Sequence, residues 1–201
     1  DDSLNASQRD ATRDRDAAVR TQLVTHLEAL IAGSDARPGE DLHKTRTDSL
    51  HVVAIDPHTG AVRTWIGGVD FEHFKYDHVA QAKRQVGSTF KPIVYTAALE
   101  MGIAPCTYFS AQEVEYENLK GWSPGNSGDK DEAYLNYSME QALSHSVNTV
   151  TVKVLEQTGL TNVITMAKNM GVFTELPEEP SIALGTGELY LNELAGVYAS
   201  Y

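Results

Sequence analysis

An α+β domain is the fold class that this sequence predicts, and three observations predict it. Two runs rich in β-branched and aromatic residues, LHVVAI (Leu50 to Ile55) and AVRTWIGG (Ala61 to Gly68), flank DPHTG, whose Pro57 and Gly60 favour a turn. After Ser88 the apolar residues recur every three or four positions instead of alternating. Ser138 and Gln141 have the spacing of a capping box that opens a further helix. Strands that come first and helices that follow give segregated elements, not the alternating βαβ pattern of a parallel sheet.

Bulk properties narrow the function. A chain of 201 residues with 41% hydrophobic residues has enough apolar material for one real core. Its formal charge of -12, from 28 acidic against 16 basic residues, excludes a nucleic-acid partner, because phosphate binding needs clustered Lys and Arg. The single cysteine, Cys106, excludes an intrachain disulfide framework and is expected to be a small buried hydrophobe. No run approaches the roughly 18 apolar residues of a membrane span. The opening DDSLNASQRD lacks the basic and apolar regions of a signal peptide, so any anchor or export signal is expected upstream.

Taken in order, Val19, Leu23, Val24, Leu27, Leu30 and Ile31 mark one amphipathic helix over residues 7–31. The polar stretch from Gly33 to Asp48 is a linker, which divides the chain into residues 1–48, helix and linker, and a main domain over 49–201. The hairpin over residues 50–68 comes next. Phe90, Ile93, Val94, Ala97, Ala98 and Met101 then share one helical face that points into the core, with Gly102 as the stop. Pro92 lacks an amide proton and is tolerated only in a first turn, so this helix begins at or close to Ser88. Residues 113–137 are acidic, carry Gly121, Pro124, Gly125 and Gly128, and read as a long loop. The capping box starts a short helix through Met139, Ala142 and Leu143, with a break at Ser146 to Asn148. Beyond it, Val150, Val152 and Val154 alternate like a strand while Val147, Val150, Val154 and Leu155 suit a helix, so the periodicity leaves both open. The last stretch, ELYLNELAGVYASY, is again helical.

The chemistry centres on RQVGSTFKP. Positions three apart on a helix lie on one side, so the Ser88 hydroxyl and the Lys91 amine come within hydrogen-bonding reach. A serine is a poor nucleophile until a neighbour takes its proton, and a lysine takes it only with a lowered pKa. Burial at a cleft floor and the positive end of a helix both lower it. The free Ser88 amide at the helix start can also face a developing oxyanion. A helix cap followed by a solvated charge has the same spacing, so the pair alone leaves both readings standing.

The surrounding stretches IDPHTGAVRTWIGGVDF, RQVGSTFKPIVYTAALEMG, ALSHSVNTVTVKVLEQTG and IALGTGELYLNELAGVYASY together resemble the transpeptidase domain of class A penicillin-binding proteins. Ser88 to Lys91 match that family's SxxK motif, and Ser146-Val147-Asn148 its SxN motif. The resemblance covers roughly Leu50 to Tyr201, includes WSPGN (Trp122 to Asn126), and favours a helix after Asn148. It implies the penicillin-binding, β-lactamase-like fold, an antiparallel sheet flanked by helices. It further implies a peptidoglycan D,D-transpeptidase without cofactor or metal. Ser88 would be acylated by a D-Ala-D-Ala stem peptide, Lys91 would accept its proton, and Ser146 would relay a proton to the leaving amine. Asn148, and Gly87 beside the nucleophile, would bind substrate. Implied partners are stem peptides, β-lactams and cell-envelope proteins, with the full-length protein membrane-anchored and acting outside the cytoplasm.

The family's third motif, Lys-Thr/Ser-Gly, is not found in the sequence, and is expected beyond Tyr201; the glycosyltransferase domain of class A members is likewise unmatched by the first helix and linker. Gly185-Thr186-Gly187 lacks the cation and reads as structural. His73 and His78 are off any helix face and no HxxxH or CxxC pair occurs, so a metal site is not expected. The rival functions are a β-lactam-hydrolysing or β-lactam-sensing serine enzyme, and a non-catalytic cell-wall scaffold.

Overall fold

The computed structural model describes residues 51–68, 75–116, 121–126 and 135–201. The expected N-terminal helix and linker, and part of the acidic loop, lie outside the described residues. The predicted hairpin is present: β1 (Val52–Ile55) pairs antiparallel with β2 (Val62–Ile66), Val52 opposite Ile66. Asp56 organises the turn, where its Oδ1 accepts the amides of His58 at 2.9 Å and Thr59 at 3.2 Å. Its Oδ2 accepts from the Arg63 guanidinium at 2.7 Å, and these bonds hold the carboxyl down at about 2.

The helix signalled by Pro92 forms as a tight 3₁₀ turn, Gly87–Phe90, that runs into α1 (Lys91–Glu100). Phe90, Ile93, Val94, Ala97 and Ala98 are buried as expected. Met101 is not, being 55% exposed. The helix ends one residue before it, and the chain reverses at Gly102 (φ 83). Ile103 takes the buried place, its amide donating back to Ala98 O at 3.0 Å. Cys106 is also exposed, contrary to expectation, because it sits in the surface turn that leads to β4 (Tyr108–Ser110). β4 pairs antiparallel with β5 (Asn136–Ser138). Ser138 then caps α2 (Met139–Ser144) through the predicted reciprocal bonds, Gln141 N to Ser138 Oγ at 3.2 Å and Ser138 N to Gln141 Oε1 at 3.1 Å.

The segment with two periodicities is a helix, α3 (Asn148–Thr158), followed by α4 (Leu160–Asn169). Thr149, Val150, Thr151 and Val152 are four consecutive buried residues, so the first turn of α3 is enclosed on every side, and a polar face, Lys153, Glu156 and Gln157, emerges only in its later turns. Two of its buried hydroxyls are satisfied locally: Thr151 and Thr158 donate to the carbonyls of Val147 and Val154, four residues back. α1 packs against α3 and α4, and Phe90, Val94, Val150, Val154, Val163 and Ala167 belong to one core.

A third antiparallel pair joins β3 (Lys83–Gln85) to β6 (Glu188–Tyr190), which leads into α5 (Leu191–Ala199). Glu193 pins this corner. Its buried carboxylate accepts the amides of Phe173, Thr174 and Tyr190 and the Thr174 hydroxyl, all at 2.7 to 3.0 Å. Such multiple donors are what allow a carboxylate to be buried. The fold is thus α+β, the strands among the described residues forming three two-stranded antiparallel pairs around the helical core.

Candidate active site

Three helices end in the same way, and one of them builds the site. In a Schellman ending two amides turn back onto the last carbonyls around a residue of positive φ, usually glycine. Gly102 fills that role after α1 and Gly171 (φ 104) after α4. After α2 the bonds are Ser146 N to Leu143 O at 3.0 Å and Val147 N to Ala142 O at 2.9 Å, and the positive-φ residue is Ser146 (φ 56). Ser146 is the only positive-φ residue other than glycine among the described residues. A side chain in that conformation costs on the order of 1–2 kcal/mol. Strain held at a polar site residue is a pointer to function. Ser146→Gly is therefore expected to be more stable than Ser146→Ala by about 1 kcal/mol, both having lost the hydroxyl. Denaturant unfolding of the two variants checks this, and equal or reversed stabilities would show the backbone to be unstrained.

The turn aims both oxygens of Ser146 at Lys91. Lys91 begins α1 and is 1% exposed, with its Nζ donating to Ser146 O at 2.6 Å, Ser146 Oγ at 2.9 Å and Asn148 Oδ1 at 2.6 Å. An ammonium has three protons, and all three are engaged. Ser146 Oγ in turn lies 3.3 Å from Ser88 Oγ, to which it donates. Among the described residues no hydrogen bond joins Lys91 directly to Ser88, as their spacing alone had suggested; the link runs through Ser146. Burial pulls the Lys91 amine from its ordinary 10.5 down to about 8, close enough to neutrality for it to gain and lose a proton.

Asn148 opens α3, and its two amide ends are fixed by different partners. Oδ1 accepts from Lys91, and Nδ2 donates to Gly125 O at 2.9 Å. The next residue, Asn126, takes the amide of Thr149 at 3.1 Å on its Oδ1 and donates from Nδ2 to Thr149 Oγ1 at 3.1 Å. The WSPGN stretch therefore forms one wall of the cluster.

Gly87 lies beside the cluster. Its amide donates to Gly185 O at 3.0 Å, and Val86 N donates to Gly187 O at 3.1 Å. These two bonds extend the β3–β6 pair up to the 3₁₀ turn, so residues 185–187 support the backbone that carries Ser88. The reading of Gly185-Thr186-Gly187 as structural fits this placement.

A family model described as the penicillin-binding protein transpeptidase domain matches residues 50–181, more than half of the chain. The chain belongs to this transpeptidase family. Penicillin-binding protein 1A of Neisseria cinerea is 36% identical over 155 residues, which cover 75% of this chain and 19% of that protein. The chain thus spans about a fifth of the length of the curated relatives of that name. Among solved structures, penicillin-binding protein 1A from Haemophilus influenzae matches with a TM-score of 0.68 and 26% identity, over 74% of this chain and 22% of the other. Penicillin-binding protein PonA1 from Mycobacterium tuberculosis matches with a TM-score of 0.65 and 27% identity, over 75% and 41%. The resemblance to class A penicillin-binding proteins and the fold expected from it therefore hold.

Of the expected site residues of this transpeptidase domain, the structure brings Ser88, Lys91, Ser146 and Asn148 into one hydrogen-bonded chain and sets Gly87 next to it. Gly125, Asn126 and Gly185 were not singled out as site residues. WSPGN did carry a signal, a Pro-Gly-Asn turn inside an acidic loop ahead of the second motif, but its partners lie 23 positions away.

Proposed function

We propose that this chain carries the acylation centre of a peptidoglycan D,D-transpeptidase that acts outside the cytoplasm and is inhibited by β-lactams. The observation that carries the reading is the chain Ser88 Oγ, Ser146 Oγ, Lys91 Nζ, in which a buried amine of lowered pKa reaches the exposed serine through one intervening hydroxyl. With Lys91 neutral, Ser88 gives its proton through Ser146 to Nζ as its Oγ attacks the carbonyl carbon of the penultimate D-Ala of a stem peptide. A hydroxyl suits the middle position because it donates and accepts at once. Collapse of the tetrahedral adduct breaks the C–N bond, and the proton returns through Ser146 to the departing D-Ala amine. An amine of a neighbouring stem peptide then attacks the ester, gives up a proton along the same path and releases Ser88. Asn148, with one amide proton on Gly125, has the other for a substrate carbonyl.

The test is incubation of the full-length protein with a fluorescent penicillin, followed by intact mass and mapping of the labelled peptide. One adduct per protein on the peptide containing Ser88 is expected. An unlabelled protein, or an adduct elsewhere, would sink the acyl-serine reading, and rapid release of hydrolysed drug would move the protein to the hydrolases.

A further inference from the structure

α3 starts without a cap of its own. The residue before it, Val147, has no side-chain acceptor, and the first intrahelical bond, Thr151 N to Val147 O at 3.1 Å, leaves the amides ahead of it unpaired. Asn126 supplies the missing acceptor from another segment, taking Thr149 N on its Oδ1. The orientation of its amide is fixed by the bonds around it. Thr149 Oγ1 donates its one proton to Ala111 O at 3.0 Å, so it must accept from Asn126 Nδ2, which leaves Oδ1 for the Thr149 amide.

The neighbouring carbonyl does equivalent work on the site residue. Gly125 O accepts Asn148 Nδ2, which turns Oδ1 of the same amide toward Lys91. Two consecutive residues of one segment thus clamp two consecutive residues of the helix start. Gly125 has no side chain to anchor it, and the two bonds of Asn126 hold it in place. We propose that Asn126 is a positioning residue for acylation, capping α3 in trans so that the Gly125 carbonyl orients the Asn148 amide toward Lys91. This rests on the acyl-serine reading above. A shift of the cap displaces the Asn148 oxygen from Lys91 and its amide from substrate, and small displacements of catalytic groups are costly in rate.

The test compares acylation rates by a fluorescent penicillin, and thermal melts, for the full-length protein carrying Asn126→Ala, Asn148→Ala or both. Asn126→Ala is expected to lower the rate about tenfold, and Asn126→Asp, which keeps an acceptor for the Thr149 amide but loses the donor to Thr149 Oγ1, to recover part of that loss. In the Asn148→Ala background, Asn126→Ala is expected to cost less than about twofold more, since residues acting through one another are not additive. Should Asn126→Ala fail to fold, Asn126→Ser, whose hydroxyl is too short for both Thr149 groups, takes its place with the same expected losses. Losses that multiply in the double variant, or an Asp rate no better than that of Ala, overturn the positioning role and leave the acyl-serine reading intact. A parent protein that takes no label overturns that reading and this one with it.

Discussion

Lys91→Met is expected to lower the rate of acylation by penicillin about a thousandfold while the protein stays folded. Methionine matches the lysine stem in length and flexibility, so the buried space that the stem occupies stays filled. What disappears is the amine that hydrogen-bonds Ser146 and can take its proton. The three acceptors that faced Nζ lose their donor, at about 1–3 kcal/mol for each that water cannot reach. Removing a cation that burial disfavours offsets much of this. The same residue sets a pH dependence. Lys91 with a pKa of about 8 is mostly ammonium at neutral pH, so acylation of the unaltered protein is expected to rise with pH through a midpoint near 8. Stability moves in step, because between about 8 and 10.5 the folded protein holds fewer protons on Lys91 than the unfolded chain does. The lysine protein therefore gains stability relative to Lys91→Met as pH rises across that window. Stopped-flow labelling and denaturant melts check both arms. A rate independent of pH, or a methionine variant that labels normally, would remove Lys91 from the role of base.

The parts of this molecule legible in its sequence are those whose signals are local. Pro92 marks the start of α1, Ser138 and Gln141 mark that of α2, and the hairpin turn is written in DPHTG. The Ser88/Lys91 and Ser146/Asn148 pairs were legible as motifs of a family, and their spacing within each motif reflects one turn of chain. What was not legible depends on contacts between distant segments. The period of α3 was ambiguous because neighbours on all sides bury Thr149 and Thr151 along with the valines, and the information needed lay in Ala111, Asn126 and Tyr95. The left-handed backbone at Ser146 was hidden because glycine, not serine, is the residue that advertises it. Met101 keeps the period of the helix and yet points to solvent, because the chain reverses at Gly102. Cys106 was placed inside by residue type alone, and its surface turn leaves no such mark in the sequence.

Gly185→Ala is expected to destabilise the protein by more than about 3 kcal/mol and to slow acylation in whatever fraction folds. Gly185 has φ 72 and ψ 39, a conformation that costs alanine on the order of 1–2 kcal/mol by itself. The steric part is larger. A Cβ at residue 185 would fall on the carbonyl oxygen, carbon and nitrogen of Gly87, all of them backbone atoms that cannot rotate away. Room can come only from parting the two segments, which breaks the bonds from Gly87 N to Gly185 O and from Val86 N to Gly187 O. Those bonds set the height of the 3₁₀ turn, so Ser88 moves with them, away from Ser146 at the 3.3 Å contact that is already the longest link in the proton path. Gly60→Ala supplies the comparison, because Gly60 has nearly the same φ, 70, with open space where its Cβ would stand. Denaturant unfolding of both variants separates the two contributions: the difference between them is the cost of the clash. If Gly185→Ala is no less stable than Gly60→Ala and labels at the parent rate, the 185–187 segment does not hold the nucleophile in place, and the support must come from the core side of α1 alone.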